Sequence, residues 1–183
     1  MEYSVIKKIA EDLKNELAPY ANKIAIAGSI RREEDYCNDV EIVAVPKRVE
    51  STLFDKGMDI VLEQYNIISG KLKENARHIK FIIPEKDIKV DLFLPHIDNY
   101  YNILVIRTGP TYFSEWIMTR FKQYDCRHAG GYLLYQNKKI ICNSEEEFFS
   151  RAGVPCVAPN LRNKRFIHYA SCGRADREYG RMV

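Results

Sequence analysis

Asp39-Val-Glu41 lies in an otherwise apolar run that ends at Pro46, and Asp91 lies in a second such run, Lys89-Val-Asp91-Leu-Phe-Leu94. In an extended chain successive side chains point to opposite faces. Asp39 and Glu41 therefore share one face, about 6 to 7 Å apart at the backbone, while Val40 and Ile42 take the other. Taken alone, two acids on the solvated face of an amphipathic strand need no chemistry to explain them. Asp91 changes that balance, because an unpaired carboxylate in the middle of a buried strand is costly. Three carboxylates converging from neighbouring strands repel one another unless a cation lies between them, and hard oxygen ligands select Mg2+ or Mn2+. Two such ions can activate an attacking hydroxyl and stabilise a departing pyrophosphate.

A second group of residues suits the anion that such chemistry needs. Gly28-Ser29-Ile-Arg31-Arg32 follows a short apolar run. A glycine at a strand end lets the backbone approach a ligand closely with free N–H groups turned outward, which suits phosphate. Ser29 adds a hydroxyl, and Arg31 or Arg32 offers a forked pair of donors. By itself the stretch also reads as an ordinary turn with exposed arginines. From Asn160 to Val183 the basic residues Arg162, Lys164, Arg165, Arg174, Arg177 and Arg181 are set against only Asp176 and Glu178, and this segment reads as a phosphate-contacting surface. Tyr100, Tyr101, Trp116, Tyr132 and Tyr135 read mainly as packing residues, the histidines lack ligand spacing, and Glu145 to Glu147 reads as helix-start charge.

The elements that must position these residues follow from periodicity. Val5, Ile9, Leu13 and Leu17 recur every four residues and mark an amphipathic helix ending near Pro19. Strands are expected over Lys23 to Gly28, Asp39 to Val45, Ile79 to Ile83 and Ile88 to Leu94. Helices are expected over Thr52 to Tyr65 and Thr111 to Tyr124, with a short apolar run at Ile103 to Ile106 before Arg107-Thr-Gly-Pro110. Further on, Gly131 to Tyr135 and Lys139 to Cys142 suggest a hairpin. Ser144 with Glu147 is a capping-box start for a helix that Gly153 would end. The pattern is α+β: a mixed sheet with helices on one face, and a small carboxy-terminal lobe. The boundary is set at 125/126, giving units 1–125 and 126–183.

Composition narrows the class. The 183 residues are 46% apolar and 29% charged, which marks a globular chain, and the net charge of +3 does not by itself declare a polyanionic partner. Five widely spaced cysteines without a Cys-x-x-Cys pair indicate neither a disulfide framework nor a zinc knuckle, so reduced thiols in a cytosol-like compartment are expected. No signal peptide or membrane span is read, and a soluble intracellular protein, cellular or viral, is expected.

In the order GSIRR (Gly28 to Arg32), DVEIV (Asp39 to Val43), KVDLF (Lys89 to Phe93), RTGPTYFS (Arg107 to Ser114) and SEEEFFSRAGVPCVAPNLRN (Ser144 to Asn163), the chain resembles the DNA polymerase beta family, or family X, of the nucleotidyltransferases. The resemblance implies a nucleotidyltransferase palm bearing a thumb-like lobe, acting as a template-dependent, repair-type DNA polymerase on gapped or primed DNA with dNTP. Asp39, Glu41 and Asp91 would hold two Mg2+ ions, or Mn2+, with Asp91 nearest the attacking 3′-hydroxyl. Gly28, Ser29 and Arg32 would hold the triphosphate, and Thr108 and Gly109 the nucleotide sugar, with a cis Gly109–Pro110 bond expected. Arg162, Lys164 and Arg165 would contact nucleic acid.

Departures from the pattern keep other readings open. Glu41 stands where the family usually has Asp, Ile106-Arg107 where it has an aromatic pair crowding the sugar 2′ position, and Ser114 where it often has Asn. Only about two dozen residues precede Gly28, which implies a minimal, distributive, salt-sensitive monomer without lyase activity. The alternatives are a template-independent transferase acting on RNA or single-stranded ends, and a non-catalytic nucleic-acid-binding module.

Overall fold

The computed structural model describes residues 1–47, 57–70 and 76–172. Helix α1 (Tyr3–Leu17) buries Ile9, Leu13 and Leu17 of the expected stripe together with Ile6 and Ala10, while Val5, at its edge, is exposed, and Pro19 sits in a short 3-10 turn that closes the helix. Strand β1 (Ala21–Ile26) follows, then the single turn α2 (Gly28–Arg31), strand β2 (Asp39–Pro46), and a four-residue helix α3 (Asp59–Leu62). The part of the expected Thr52 to Tyr65 helix before residue 57 lies outside the described residues. Strands β3 (Asn66–Ser69), β4 (His78–Ile83) and β5 (Ile88–Phe93) complete a five-stranded sheet in the order β1-β2-β5-β4-β3. The β2–β5 pair at its centre is parallel and the other pairs are antiparallel, so the sheet is mixed.

The two faces of this sheet have different tasks. Val40, Ile42 and Ala44 of β2, Ile79 and Phe81 of β4, and Ile88, Val90 and Leu92 of β5 form one core with α1 and with Met58, Val61 and Leu62. Each of these side chains larger than Ala44, when fully withdrawn from water, contributes roughly 1.5–3 kcal/mol. The opposite face is divided along its length. Its apolar end, Val43, Val45 and Phe93, packs under Tyr100 and Leu104 of helix α4 (Tyr100–Thr108). The helices are therefore not confined to one face as the sequence suggested, because those three residues also need cover. The run Ile103 to Ile106 belongs to α4.

Helix α5 (Thr111–Lys122) leads into a second sheet of three antiparallel strands: β6 (Cys126–Ala129), β7 (Tyr132–Tyr135) and β8 (Lys138–Ile140). Two-residue turns join them, at Gly130-Gly131 and Gln136-Asn137, all four residues having positive φ as tight hairpins of right-twisted strands require. Helix α6 (Glu145–Arg151) begins as expected: the Ser144 hydroxyl accepts from the Glu147 amide at 3.1 Å, and Glu147 in turn accepts from the Asn143 amide at 2.8 Å. It ends on Gly153 at φ 67°, where the Gly153 amide donates to Ser150 and the Val154 amide to Phe149, a Schellman closure. Helix α7 (Lys164–Ser171) is capped by the Asn163 side chain. Phe113, Ile117 and Phe121 of α5 join Phe148, Phe149, Val157 and Phe166 in a second core. Among the described residues no helix is long and apolar enough to cross a membrane, and the five cysteines are free thiols.

Candidate functional site

The register of the central strands brings the acids together. Glu41 on β2 lies directly opposite Asp91 on β5, which lies opposite Lys80 on β4, so one row across the sheet reads Glu41, Asp91, Lys80. Asp39 is one residue pair along, opposite Lys89, and shares the face of Glu41. The next row in the other direction is Val43, Phe93, His78. All three predicted carboxylates thus lie on the half of this face that α4 does not cover.

Their electrostatics are those of an undercompensated cluster. Burial, followed by the charge of Asp39 and then of Asp91, raises Glu41 to about 7, although Arg107 and Arg32 pull the other way. Asp39 is raised for the same reasons, burial first and Asp91 second. Asp91 is held differently: its Oδ1 meets His78 Nε2 at 2.5 Å and Lys80 Nζ at 3.3 Å. The His78 ring stacks on Phe93 with centroids 4.7 Å apart and 8° between planes, and the Arg107 guanidinium lies 4.1 Å over the same Phe93 ring.

A divalent cation suits these residues in kind. The donors are all carboxylate oxygens, the type that binds Mg2+ or Mn2+, and the raised Asp39 and Glu41 would be relieved by positive charge between them. In their present positions no three His, Cys, Asp or Glu side chains among the described residues form a closed ligand group, consistent with Asp91 Oδ1 being engaged by His78 and Lys80.

Gly28 is placed against Glu41. Its φ is 62°, and a Cβ there would overlap Glu41 Oε2 and lie 2.8 Å from its carboxyl carbon, so both the conformation and the close approach require glycine. The Ala27 amide donates to the Glu41 carbonyl at 2.8 Å, tying α2 to β2, and Ser29 follows within that turn. The neighbouring arginines are occupied. Arg32 donates to the Thr108 carbonyl at 2.8 Å and, through Nε and Nη2, to Glu34. Arg31 donates to the Thr108 hydroxyl at 2.8 Å and forms a two-pronged pair with Glu145 at 2.9 and 2.7 Å. Thr108 therefore joins α4 to α2 through both arginines, and Gly109 follows it with a Cβ position only 2.7 Å from the Phe113 ring.

Two expectations are corrected. The Gly109–Pro110 bond is trans: the Gly109 amide closes the last turn of α4 on Val105, and Pro110, at φ −62° and ψ 157°, is already the N-cap of α5. Arg162 is not a surface phosphate contact. It is 2% exposed, donating to the Val157 carbonyl at 3.3 Å and to Glu145 at 3.1 Å. Lys164 and Arg165 at the start of α7 are exposed, Lys164 5.7 Å over the Tyr112 ring and Arg165 5.6 Å over the Tyr169 ring. Arg174, Arg177 and Arg181 lie outside the described residues.

Reading the sequence missed Glu145, His78, Lys80 and Arg107. The sequence marks Glu145 as helix-start charge, yet it lies between Arg31 and Arg162. Burial works to raise its carboxyl, but the Arg31 hydrogen bond and the Arg162 charge prevail and hold it below the ordinary value. His78 and Lys80 alternate on a strand whose pairing with β5 is the only signal that they face Asp91. Ser114, which stands where family X often has Asn, donates its hydroxyl to the Ile106 carbonyl at 2.6 Å. Compared with known proteins, no family model matches this chain and no curated protein matches it.

Proposed function

We propose that this chain is a nucleotidyltransferase of the family X type, a template-dependent, repair-type DNA polymerase that transfers a nucleotide from dNTP to a primer 3′-hydroxyl. The observation that carries this reading is the row of Glu41 and Asp91 on adjacent parallel strands, with Asp39 on the same face. Burial, and after it the charge of the neighbouring acids, raises two of the three carboxyls. A protein that only bound nucleic acid would gain nothing from unneutralised acids where a polyanion must dock. On this reading the five-stranded sheet is the palm, and the three-stranded sheet with α6 and α7 is a thumb-like lobe.

Asp39, Glu41 and Asp91 would hold two Mg2+ ions, or Mn2+. When bound, these ions acidify the attacking hydroxyl and neutralise charge on the departing pyrophosphate. The protein's own part is positioning. Asp91 is steadied by His78 and Lys80 on one oxygen, which leaves the other to orient the 3′-hydroxyl and accept its proton. Gly28 keeps the α2 backbone against Glu41, and the Ser29 hydroxyl serves the triphosphate. Arg32 and Arg31 act through Thr108, fixing the Thr108-Gly109 segment where the sugar is to lie.

Extension of a labelled primer across a one-nucleotide gap, with each dNTP and rNTP supplied separately, tests this reading. Addition that follows the templating base supports it. Addition independent of the template, or preference for rNTP, moves the protein to the terminal transferases. No addition by folded protein with either metal leaves the binding module.

A further inference from the structure

Arg32 and Arg107 act on the carboxylate row, with Arg31 beside Arg32, and the three are not equivalent. Arg31 is committed to Glu145 and Thr108, and Arg32 to Glu34 and Thr108. Arg107 is different: its guanidinium lies 4.1 Å over the Phe93 ring, a contact that aims the group without neutralising it. A second cation stands at the same end of the sheet. Arg77 immediately precedes His78, whose ring stacks on Phe93, and the Arg77 carbonyl accepts from the Leu94 amide next to Phe93. The Arg77 guanidinium lies against the β6–β7 turn, where a Cβ at Gly130 would be 3.5 Å from Nη1. Among the described residues no carboxylate is within ion-pair distance of either guanidinium. His128 on β6 is the third member. It is an exposed residue of β6, two positions before Gly130 of the same turn; desolvation of its ring and, more weakly, the charge of Arg107 disfavour its protonated form, while a hydrogen bond with Gly131 favours it.

We infer that Arg77, Arg107 and His128 form a phosphate-binding cleft between the margin of the α4-covered end of the five-stranded sheet, at Phe93, and the β6–β7 turn, and that it takes the backbone of the substrate strand. Arg77 and Arg107 each carry a charge that no carboxylate among the described residues pairs with, and an anion between them offsets the cost of holding both at one end of the sheet, with the His128 ring as a further polar neighbour. The position selects between the two phosphates of the reaction. Gly28 and Ser29 lie beside β1 and β2, at one end of the strand order, whereas Arg77 lies on the β4 side, with the carboxylates of β2 and β5 between them. A group transfer needs its two substrates to reach the carboxylates from different sides. With the triphosphate at Gly28 and Ser29, the cleft is left for the strand that carries the 3′-hydroxyl. Arg107 is then the residue through which this strand approaches Glu41. This assignment rests on the transferase reading for its location, but its test is binding alone.

The experiment measures the affinity of the full chain for a fluorescein-labelled oligonucleotide by anisotropy across a salt series, and separately for a fluorescent nucleoside triphosphate with Mg2+. Arg77→Gln and Arg107→Gln should each weaken oligonucleotide binding about tenfold and lower the salt slope by about one, with triphosphate affinity unchanged. Arg107→Lys should keep the slope, and Lys8→Gln, on the exposed side of α1, should match the unaltered protein in both assays. Lost triphosphate affinity with intact oligonucleotide binding would overturn the assignment in favour of the nucleotide, and unchanged binding of both in folded variants would overturn the cleft itself. If the cleft behaves as stated while the unaltered protein adds no nucleotide, the cleft stands and the transferase reading falls.

Discussion

Glu41 and Asp91 are direct neighbours across the parallel β2–β5 pair, and they are treated oppositely by their surroundings. Asp91 has His78 and Lys80 on one oxygen, whereas Glu41 is raised to about 7 by burial and then by the charges of Asp39 and Asp91. The asymmetry leaves one anion already oriented and another waiting for positive charge.

The raised Glu41 makes metal-free stability depend on pH in an unusual direction. Its carboxyl binds a proton more tightly folded, at about 7, than unfolded, at 4.5. Between these values the native state holds more protons than the unfolded state, so stability should fall as pH rises from 4.5 through 7. Melting followed by circular dichroism at pH 5 and pH 8 should show this loss, and Mg2+ or Mn2+ should recover part of it at pH 8. Glu41→Gln should flatten the dependence; a variant as pH-sensitive as the unaltered protein would refute the assignment.

Gly28→Ala should be damaging in two ways. The positive φ is strained for alanine by about 1–2 kcal/mol, and the new methyl group must displace the Glu41 carboxylate. We expect a lower melting temperature and a larger loss in nucleotide addition than the stability change explains, read by activity well below the melting transition. Full activity would mean that the approach of Gly28 to Glu41 is dispensable.

Glu145→Ala should destabilise the protein by about 3–5 kcal/mol, because it strands the buried Arg162 charge and releases Arg31. Denaturant unfolding measures it. The Glu145 carboxyl lies below its ordinary value in the folded protein, so its contribution is present above the unfolded value and is lost as pH falls through the folded one. The difference between Glu145→Ala and the unaltered protein should therefore shrink in acid. An equal difference at all pH values would show that packing, not charge, accounts for the loss.

Alternation along single strands was enough to place Asp39 with Glu41 and to bury Val40 and Ile42, and helical spacing was enough for α1. Local chemistry also marked the Ser144 cap and the Gly153 stop. What escaped depends on partners distant in the chain. His78 and Lys80 reach Asp91 only because β4 pairs with β5, and Glu145 meets Arg31 across 114 positions. Strand β6 has the polar sequence Cys-Arg-His-Ala and lacks an alternating apolar signal. Arg162 looked like a surface cation because charge is visible in a sequence while burial beside a carboxylate is not. The expected cis bond came from resemblance, and the capping geometry of α5 runs through a trans bond instead.

The most direct test of the central claim is the rate of single-nucleotide addition to a gapped primer as Mn2+ is titrated, for the unaltered chain and for Asp91→Asn. The account predicts a rate that requires the metal, follows the templating base and falls at least about a hundredfold in the variant, with folding retained. Metal-independent addition, or an Asp91→Asn variant that works at the original rate, would contradict it.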